Sequence, residues 1–281
     1  MNRLKLKTML QTFLEEDIGA GDVTAEAIFT NDEQGSGDFL MKADGVLAGT
    51  DIIEIAYQLL DPRIQVTLFH RDGEKVIAGT KIATVVGPIQ AILTGERVVL
   101  NLLQRLSGIA TLTKQCVDAL NDTSIRICDT RKTTPGLRML EKYAVTCGGG
   151  YNHRHGLYDG VMIKDNHIAF CGSITAAVER VRHKTGHMLR IEVETESLDQ
   201  VKEAVAAGAD VIMFDNQTPE DIRELSRHVP SAITTEISGG ITPGTIRHYR
   251  GSGVDYISLG FLTHSAQAID ISFLEKNGKP E

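Results

Sequence analysis

The sequence predicts an α/β protein, in which a smaller N-terminal domain precedes a barrel of parallel βα units with fewer than eight strands. From about Val161 onward, a short apolar run, a polar residue, a loop and a helix-period stretch recur in order. The first hundred residues show a different sequence pattern, with strand-like segments and glycine turns. At 281 residues, the chain is long enough for one large domain or two modest ones.

The N-terminal part contains three strand-like segments and one apolar helix. The strands are predicted at residues 37–42, 65–69 and 82–86, and the helix at 52–60. The stretch at 72–82 is similar to hairpins of lipoyl-type domains, but it lacks a lysine at a tight exposed hairpin, so we interpret it as scaffold.

We expect the chain to consist of two domains and a C-terminal tail. Residues 1–108 form the N-terminal domain and residues 109–266 form the barrel domain. The C-terminal tail, residues 267–281, can join the N-terminal domain.

Six apolar runs predict the barrel strands, and each ends at a polar residue or a glycine. The runs are residues 125–128, 161–163, 189–193, 211–214, 233–237 and 256–259. The residues that follow them are Asp129, Lys164, Glu194, Asp215, Ser238 and Gly260. A different polar residue at every strand end favours a barrel. An open doubly wound sheet would instead concentrate the polar residues at one switch point.

The helix ends between these strands carry their own signals. Ser197 and Gln200 predict a capping box, and Gly208 is placed to end the same helix. Thr218-Pro219 and Thr242-Pro243 each combine an N-cap residue with proline at the first helical position.

Composition excludes several classes of protein. The 29 Lys and Arg residues against 37 Asp and Glu give a net charge of −8, which argues against a nucleic-acid or acidic-membrane binder. No apolar run approaches the roughly 18 residues of a membrane span, and the N-terminus lacks the pattern of a secretory signal. The four cysteines form no C-x-x-C pair, so we expect reduced thiols in a cytoplasmic protein.

Cationic residues are dense between Asp129 and His167, although the protein as a whole is acidic. Arg131, Lys132, Arg154 and Lys164 all lie in this region. Arginine forks bind carboxylates and phosphates through two hydrogen bonds, so the cluster indicates a polyanionic ligand. A solvated loop with ordinary salt bridges is the alternative, and the strand-end position of Lys164 argues against it.

Several candidate residues allow more than one interpretation. Lys164 could form a Schiff base, and His153 with His155 could form a metal pair, although no third ligand is evident. Glu194 and Asp215 follow successive strands, where carboxylates can accept bonds from sugar hydroxyls or meet Mg²⁺ carried by phosphates. Glu192 should face the same side as Glu194, so the choice between them stays open.

Two glycine turns follow the last two strands. They are Ser238-Gly239-Gly240-Ile241 and Ser258-Leu259-Gly260. Loops at these positions of a barrel often present backbone N–H groups to a phosphate. The sequence has no P-loop and no strand followed by G-x-G-x-x-G, which argues against nucleotide-triphosphate and dinucleotide folds.

Taken together, the motifs resemble the quinolinate phosphoribosyltransferase family, the carboxylating nicotinate-nucleotide pyrophosphorylases. The motifs that carry the resemblance are Gly95-Glu96-Arg97, residues 130–136, Gly148-Gly149-Gly150 with Asn152-His153-Arg154, residues 163–167, Glu192-Val193-Glu194, Asp215-Asn216 and Ser238-Gly239-Gly240-Ile241. They occur in order over nearly the whole chain. At Tyr151 and His155, apolar residues would be expected instead.

The resemblance implies an N-terminal α/β sandwich domain, a C-terminal partial α/β barrel, and a homodimer with shared active sites, and it leaves larger assemblies open. It also implies a reaction in de novo NAD synthesis. Quinolinate and phosphoribosyl pyrophosphate, with Mg²⁺, would give nicotinate mononucleotide, pyrophosphate and carbon dioxide.

The resemblance further implies roles for individual residues. The carboxylates of quinolinate would be held by Arg131, His153, Arg154 and Lys164, with Arg97 of the partner subunit. The donor would meet Lys132 and Lys164 at its pyrophosphate, and Glu194 and Asp215 at its ribose and Mg²⁺. The remaining substrate-binding residues would be Thr130, Ser238, Gly239, Gly240, Leu259 and Gly260.

Three rival functions differ in what they require of the sequence. A molybdenum-linked relative of the same fold would have an altered motif at residues 163–167, which is intact here. A Schiff-base barrel aldolase would use Lys164 as a nucleophile. A lipoyl-like carrier or a pure binding module would leave the charged strand ends unexplained.

Overall fold

The computed structural model describes residues 1–276, and the chain divides into two compact units. The first unit comprises residues 1–112, residues 139–149 and the described residues from Ala266 onward. The second comprises residues 113–138 and 150–265. Residues 277–281 of the expected C-terminal tail lie outside the described part of the chain.

Helices and strands follow one another along the chain as follows. The elements up to residue 120 are α1 (Arg3–Ile18), α2 (Val23–Ile28), β1 (Gln34–Met41), β2 (Gly45–Val46), α3 (Thr50–Leu60), β3 (Gln65–Leu68), β4 (Lys75–Val76), β5 (Lys81–Pro88) and α4 (Ile89–Leu120). The later elements are β6 (Arg126–Cys128), α5 (Arg138–Cys147), β7 (Val161–Ile163), α6 (Asp165–Cys171), α7 (Ile174–Lys184), β8 (Ile191–Thr195), α8 (Leu198–Ala206), β9 (Val211–Asp215), α9 (Pro219–Ser226), β10 (Thr234–Ser238), a 3-10 helix (Ile246–Tyr249), β11 (Tyr256–Ser258), α10 (Phe261–His264) and β12 (Ile271–Glu275).

The first unit is built on an antiparallel sheet with the strand order β12-β1-β5-β3. Strand β1 alternates buried and partly exposed residues, as a sheet with one covered face requires. The buried ring of Phe39 lies 6.3 Å from the ring of Tyr57 on α3 and 4.9 Å from that of Phe273 on β12. The strands and the helix predicted in this region are confirmed, and β12 adds a strand that the sequence did not predict.

The second unit is built on a parallel sheet of six strands, in the order β6-β11-β10-β9-β8-β7. All five strand pairings are parallel. The apolar runs are buried; Ile191, Val193, Ile212 and Phe214, for example, have no exposed surface. Parallel strands covered on both faces are expected to have such continuous apolar sequences. The predicted α/β class, with fewer than eight strands in the C-terminal sheet, is confirmed.

Most of the predicted helix ends occur where the sequence placed them, but the capping box is incomplete. Ser197 accepts a bond from the Gln200 backbone N–H, whereas the Gln200 side chain accepts from the N–H of Glu196, 2.7 Å away, and not from that of Ser197. Thr218 caps α9 with Pro219 in the first turn, and Gly208 has a positive φ of 78°.

The helix start predicted at Thr242-Pro243 is wrong. The Thr242 N–H donates to the Thr245 hydroxyl at 2.9 Å, and this local bond closes a turn instead of starting a helix. A single 3-10 turn, Ile246–Tyr249, follows.

Among the helices of residues 1–276, none combines the length and the apolar character that crossing a membrane would require.

A close backbone approach in the first unit generates a stability prediction. At Gly108 on α4, an added Cβ would lie 2.0 Å from the backbone oxygen of Gln267 and 3.0 Å from its carbonyl carbon. Alanine normally favours a helix over glycine, but here it forces two backbone segments apart. We expect Gly108→Ala to lower the free energy of unfolding by about 1–3 kcal/mol in urea titrations.

Gly186→Ala is the matched control, because a Cβ at Gly186 would meet no atom within 4 Å. We expect this variant to unfold like the unmodified protein. A Gly108→Ala protein as stable as the control would contradict the close approach of these segments.

Candidate active site

The second unit contains a pocket of about 620 Å³ at the carboxyl ends of its parallel strands. It is lined by Thr130, Arg131, Lys132, His153, Arg154, Met162, Lys164, Glu194, Met213, Asp215, Asn216, Ser238, Gly239, Gly240 and Ser258. Eleven of these residues are candidates from the sequence. The structure therefore brings most of the expected site residues to one place.

The period of a β-strand explains the arrangement of the pocket. Side chains two residues apart point to the same face of a sheet. Asp215 and Ser238 end β9 and β10, Glu194 is the last residue but one of β8, and Lys164 directly follows β7. The residues two positions earlier are Met162, Glu192, Met213 and Glu236, and they form a second layer on the same face.

The sequence analysis missed most of this second layer. Met162 and Met213 line the pocket, and Glu236 is buried beneath it. The signal that could have found them is the same two-residue spacing that linked Glu192 to Glu194. Asn216 and Ser258 also line the pocket and stood beside residues that were identified.

Four cationic side chains face the pocket against two carboxylates, those of Glu194 and Asp215. Arg131 carries a buried Nε that has no hydrogen-bond partner within residues 1–276. Arg154 donates from Nη1 to the carbonyl of Gly160 at 3.0 Å. Burial, and then the charge of Arg131, lower the pKa of Arg154. The pocket thus concentrates positive charge that an anionic ligand would neutralise.

Lys164 is ion-paired with Glu194 across neighbouring strands. Burial is the main cause that raises the pKa of Glu194, and the Lys164 ammonium opposes that rise. The Lys164 backbone N–H also donates to Nδ1 of His167 at 3.0 Å, and Asp165 accepts from the N–H of Asn166 at 2.7 Å. These two side-chain hydrogen bonds close the turn after β7.

His153 lies between the pocket and a group of buried acids. Its Nδ1 accepts a hydrogen bond from the Arg154 backbone N–H at 2.8 Å. Its Nε2 is 2.9 Å from Oε2 of Glu192 and 3.6 Å from Oε1 of Glu236. The fully buried Asp129 accepts from the backbone N–H of His153 at 2.9 Å and so fixes the loop.

Glu236 is almost fully buried and accepts a hydrogen bond from the Ser258 hydroxyl. Burial, followed by the charge of Glu192, raises the pKa of Glu236 to about 8. His153, Glu192 and Glu236 each offer one atom suited to a metal ion, and these atoms lie within 4.8 Å of one another. His155, considered above as a second histidine ligand, is not part of this group.

The first glycine turn is tightly fitted to Asn216. Gly239 has a φ of 91°, and an added Cβ would lie 2.2 Å from Oδ1 of Asn216. The Asn216 N–H donates to the Ser238 carbonyl at 2.9 Å. Only glycine meets both requirements at this position, so the turn brings its backbone to the pocket wall.

The second glycine turn is placed differently from the first. Ser258 lines the pocket, whereas Leu259 is buried and donates its N–H to Cys128 at 2.9 Å. Gly260 leaves room for the side chain of Lys132, whose Cδ would be 2.8 Å from an added Cβ. Leu259 and Gly260 are thus not among the residues that line this pocket.

Three other residues noted in the sequence have partners of their own. Arg97 lies on α4 in the first unit, where its exposed guanidinium is 3.8 Å from Glu96. The N–H of exposed His155 donates to Asp159 at 2.7 Å. The ring of Tyr151 lies 5.1 Å from the Arg126 guanidinium.

Comparison with known proteins places this geometry in a family. Residues 22–107 match the model of the quinolinate phosphoribosyl transferase N-terminal domain, and residues 109–274 match that of the C-terminal domain. A protein of Bacillus subtilis, named probable nicotinate-nucleotide pyrophosphorylase [carboxylating], is 56% identical over 272 residues, which cover 97% of this chain and 94% of that protein.

Solved structures show the same similarity. NadC from Streptococcus pyogenes superposes with a TM-score of 0.94 at 40% identity and covers 99% of both chains. The nicotinate-nucleotide pyrophosphorylase from Francisella tularensis superposes with a TM-score of 0.93 at 36% identity and covers 98% of both chains. Because the two domain models and these relatives span nearly all of its length, the chain belongs to the quinolinate phosphoribosyltransferase family.

Proposed function

We propose that this protein transfers the phosphoribosyl group of phosphoribosyl pyrophosphate to quinolinate and releases pyrophosphate and carbon dioxide. The product is nicotinate mononucleotide, a precursor in NAD biosynthesis. The observation that carries the proposal is the pocket itself, in which four cations face two carboxylates at the ends of parallel strands. Family membership supports the identity of the two substrates.

Quinolinate is a dianion at neutral pH, so aligning its ring nitrogen for attack requires fixed positive charges. Arg131 and Arg154 are the proposed carboxylate partners. Arg131 presents a buried Nε that has no hydrogen-bond partner among the described residues, and Arg154 donates a hydrogen bond to Gly160. Correct orientation of the nucleophile supplies a large share of the rate in such reactions.

Phosphoribosyl pyrophosphate is proposed to bind along the strand ends. Lys132 and Lys164 are suited to the pyrophosphate, and Glu194 is suited to the ribose hydroxyls. The turn at Gly239 and Gly240 presents backbone to the pocket and is suited to the 5′-phosphate.

Mg²⁺ is the proposed cofactor, and the donor set fits it because carboxylate oxygens are its preferred protein ligands. The ion pair of Glu194 with Lys164 makes Asp215 the carboxylate proposed to hold the ion together with the pyrophosphate. Bound Mg²⁺ would neutralise the negative charge that gathers on the leaving group.

Each step of the proposed reaction develops a charge that a nearby group stabilises. As the bond from C1′ to pyrophosphate breaks, the ribose becomes oxocarbenium-like and the leaving group gains negative charge, which Lys132 and Lys164 stabilise. The quinolinate nitrogen bonds to C1′ and becomes cationic. That cation stabilises the ylide formed when the neighbouring carboxylate leaves as carbon dioxide, and the ring carbon then takes a proton.

Schiff-base chemistry at Lys164 is the less favoured reading. A nucleophilic lysine needs a neutral amine, whereas Lys164 forms an ion pair with Glu194. The deciding experiment follows nicotinate mononucleotide formation with quinolinate, nicotinate or nicotinamide as the acceptor. Turnover with quinolinate, and not with nicotinate or nicotinamide, supports the proposal. Trapping of Lys164 by borohydride with a carbonyl substrate supports the alternative.

Subunit assembly is also proposed here, on family resemblance. We propose a homodimer in which Arg97 of one subunit reaches the site of the other. Two-fold symmetry would place the two arginines reciprocally.

We also propose a cytoplasmic location. All four cysteines are free thiols, and burial raises the pKa of Cys116 to about 12, which keeps it protonated. Reduced and buried thiols are typical of a reducing compartment.

The arginines generate the first test of the site. We expect Arg131→Ala and Arg154→Ala to weaken quinolinate binding by about 2–4 kcal/mol and donor binding much less, because each removes a charge-assisted fork. Calorimetric titration of each variant with quinolinate and with the donor measures the two binding affinities. Arg227→Ala is the control, because Arg227 is exposed and forms its ion pair with Glu224, three residues away. An equal loss of affinity for both substrates would overturn the assignment of these two arginines to quinolinate.

Asp215 generates a second test. Asp215→Asn keeps the shape of the side chain but removes its charge, so turnover and Mg²⁺-dependent donor binding should fall while quinolinate binding is retained. Steady-state kinetics at several Mg²⁺ concentrations provide the measurement. If quinolinate affinity collapsed while the donor bound normally, Asp215 would belong to the acceptor side.

Mixed dimers test the proposed role of Arg97. Arg97→Ala and Lys164→Ala should each be nearly inactive alone. A mixed dimer contains one site with both residues intact if Arg97 acts across the interface, so refolded mixtures should regain part of the activity. Proven mixed dimers that stay inactive would show that Arg97 does not act in the neighbouring site.

A further inference from the structure

Two loops at the pocket wall bring positive charges close together. The first loop, residues 130–133, follows β6 and carries Arg131 and Lys132, and the second loop, residues 151–156, carries Arg154. Burial, followed by the charge of Arg131, lowers the pKa of Arg154. Because like charges repel, the two loops tend to separate unless other contacts hold them together.

Arg138 joins the two loops from outside the pocket. Its Nε donates to the Thr133 hydroxyl of the first loop at 2.9 Å, and its Nη1 donates to the His155 carbonyl of the second loop at 3.2 Å. None of these three residues is among those that line the pocket. A planar guanidinium, with five N–H groups in a fixed fork, suits such a crosslink between two neutral acceptors.

The second loop is fixed on both sides of Arg154. Before Arg154, the buried Asp129 carboxylate accepts from the His153 backbone N–H at 2.9 Å. After Arg154, the His155 carbonyl accepts from Arg138. The position of the Arg154 backbone relative to the first loop therefore depends on both contacts.

The first loop has a similar arrangement. The Thr263 hydroxyl donates to the Lys132 carbonyl at 2.8 Å, and the next residue, Thr133, accepts from Arg138. The Thr133 hydroxyl also lies 3.5 Å from the carbonyl oxygen of Arg131. Arg138 thus contacts each loop close to an arginine that faces the pocket.

Resting on the proposed function, we infer that Arg138 is a positioning residue, which holds Arg131 and Arg154 at the spacing that two neighbouring carboxylates on one ring require. Quinolinate carries its carboxylates on adjacent ring carbons, so both arginines must be placed together. The groups proposed for the donor lie mainly at the ends of β7, β8 and β9 and after β10, on the sheet itself. Arg138 should therefore affect the acceptor more than the donor.

Loss of this crosslink should weaken binding although no group proposed to touch a substrate is removed. If the loops adopt the binding arrangement for only a fraction of the time, the measured affinity falls by that fraction. The two bonds from Arg138 have a charged donor, so their loss is large enough to lower quinolinate affinity about tenfold.

Calorimetric titration of the full chain tests this expectation. Arg138→Ala should bind quinolinate about tenfold more weakly and the donor within about twofold of the unmodified protein. Arg138→Lys keeps the positive charge but loses the planar fork, so we expect it to resemble Arg138→Ala. Arg227→Ala is again the control. Unchanged quinolinate affinity in either Arg138 variant, or an equal loss of donor affinity, would overturn the inference.

Thr133 provides a second set of variants, in case an Arg138 variant folds poorly. Thr133→Val removes the acceptor hydroxyl and leaves the charge of Arg138 in place, so quinolinate affinity should fall about three- to fivefold. Thr133→Ser keeps the hydroxyl and should recover most of the affinity. Because both changes break the same bond, Thr133→Val should weaken Arg138→Ala no further. Losses that add would overturn the inference.

Amide hydrogen exchange tests the crosslink without either substrate. The backbone N–H groups of His155 and Gly156 donate to Asp159 at 2.7 and 2.8 Å, next to the carbonyl that Arg138 holds. We expect these amides to exchange about tenfold faster in Arg138→Ala, while the amides of α8 in the same unit exchange as before. Unchanged exchange in the second loop would overturn the inference.

The exchange measurement also separates this inference from the proposed function. If the unmodified protein neither binds nor converts quinolinate, but the second loop exchanges faster in Arg138→Ala, the proposed reaction is wrong and the crosslink is supported. If quinolinate is converted, but loop exchange and quinolinate affinity are both unchanged in Arg138→Ala, the reaction is supported and the role of Arg138 is wrong.

Discussion

Parallel hydrogen bonding of six strands is the constraint on which the rest of the second unit depends. It brings the carboxyl end of every strand to one edge, and the two-residue period directs alternate side chains to one face. Lys164, Glu194, Asp215 and Ser238 therefore meet although they lie far apart in the sequence. The apolar residues between them are buried and keep the strands in register.

Concentrating cations in one pocket creates repulsion, which the surrounding hydrogen bonds oppose. Asp129 is fully buried and holds the loop that carries His153. Glu194 balances Lys164, and Gly160 orients Arg154. A site prepared in this way loses little side-chain freedom when a polyanion binds, which is a general advantage of preorganised binding sites.

Local signals in the sequence predicted most of the elements but not all of them. All six strands of the parallel sheet were found, because their apolar runs are short and bounded. Strand β12 was missed, because its pairing with β1 spans almost the whole chain. Thr242-Pro243 was read as a helix start because N-cap chemistry also fits a turn, and the bond from Thr242 to Thr245 closes one.

The sequence by itself determined the fold class, the strand ends and the motif residues that surround the pocket, because these depend on local periodicity and spacing. Only the tertiary structure decided which partners those residues meet. Glu192 and Glu236 lie on strands separated by β9, yet both approach His153 in the second layer of the pocket. The burial of Glu236 and its distance from Glu192 raise the pKa of Glu236, and neither quantity can be calculated from the order of residues along a chain.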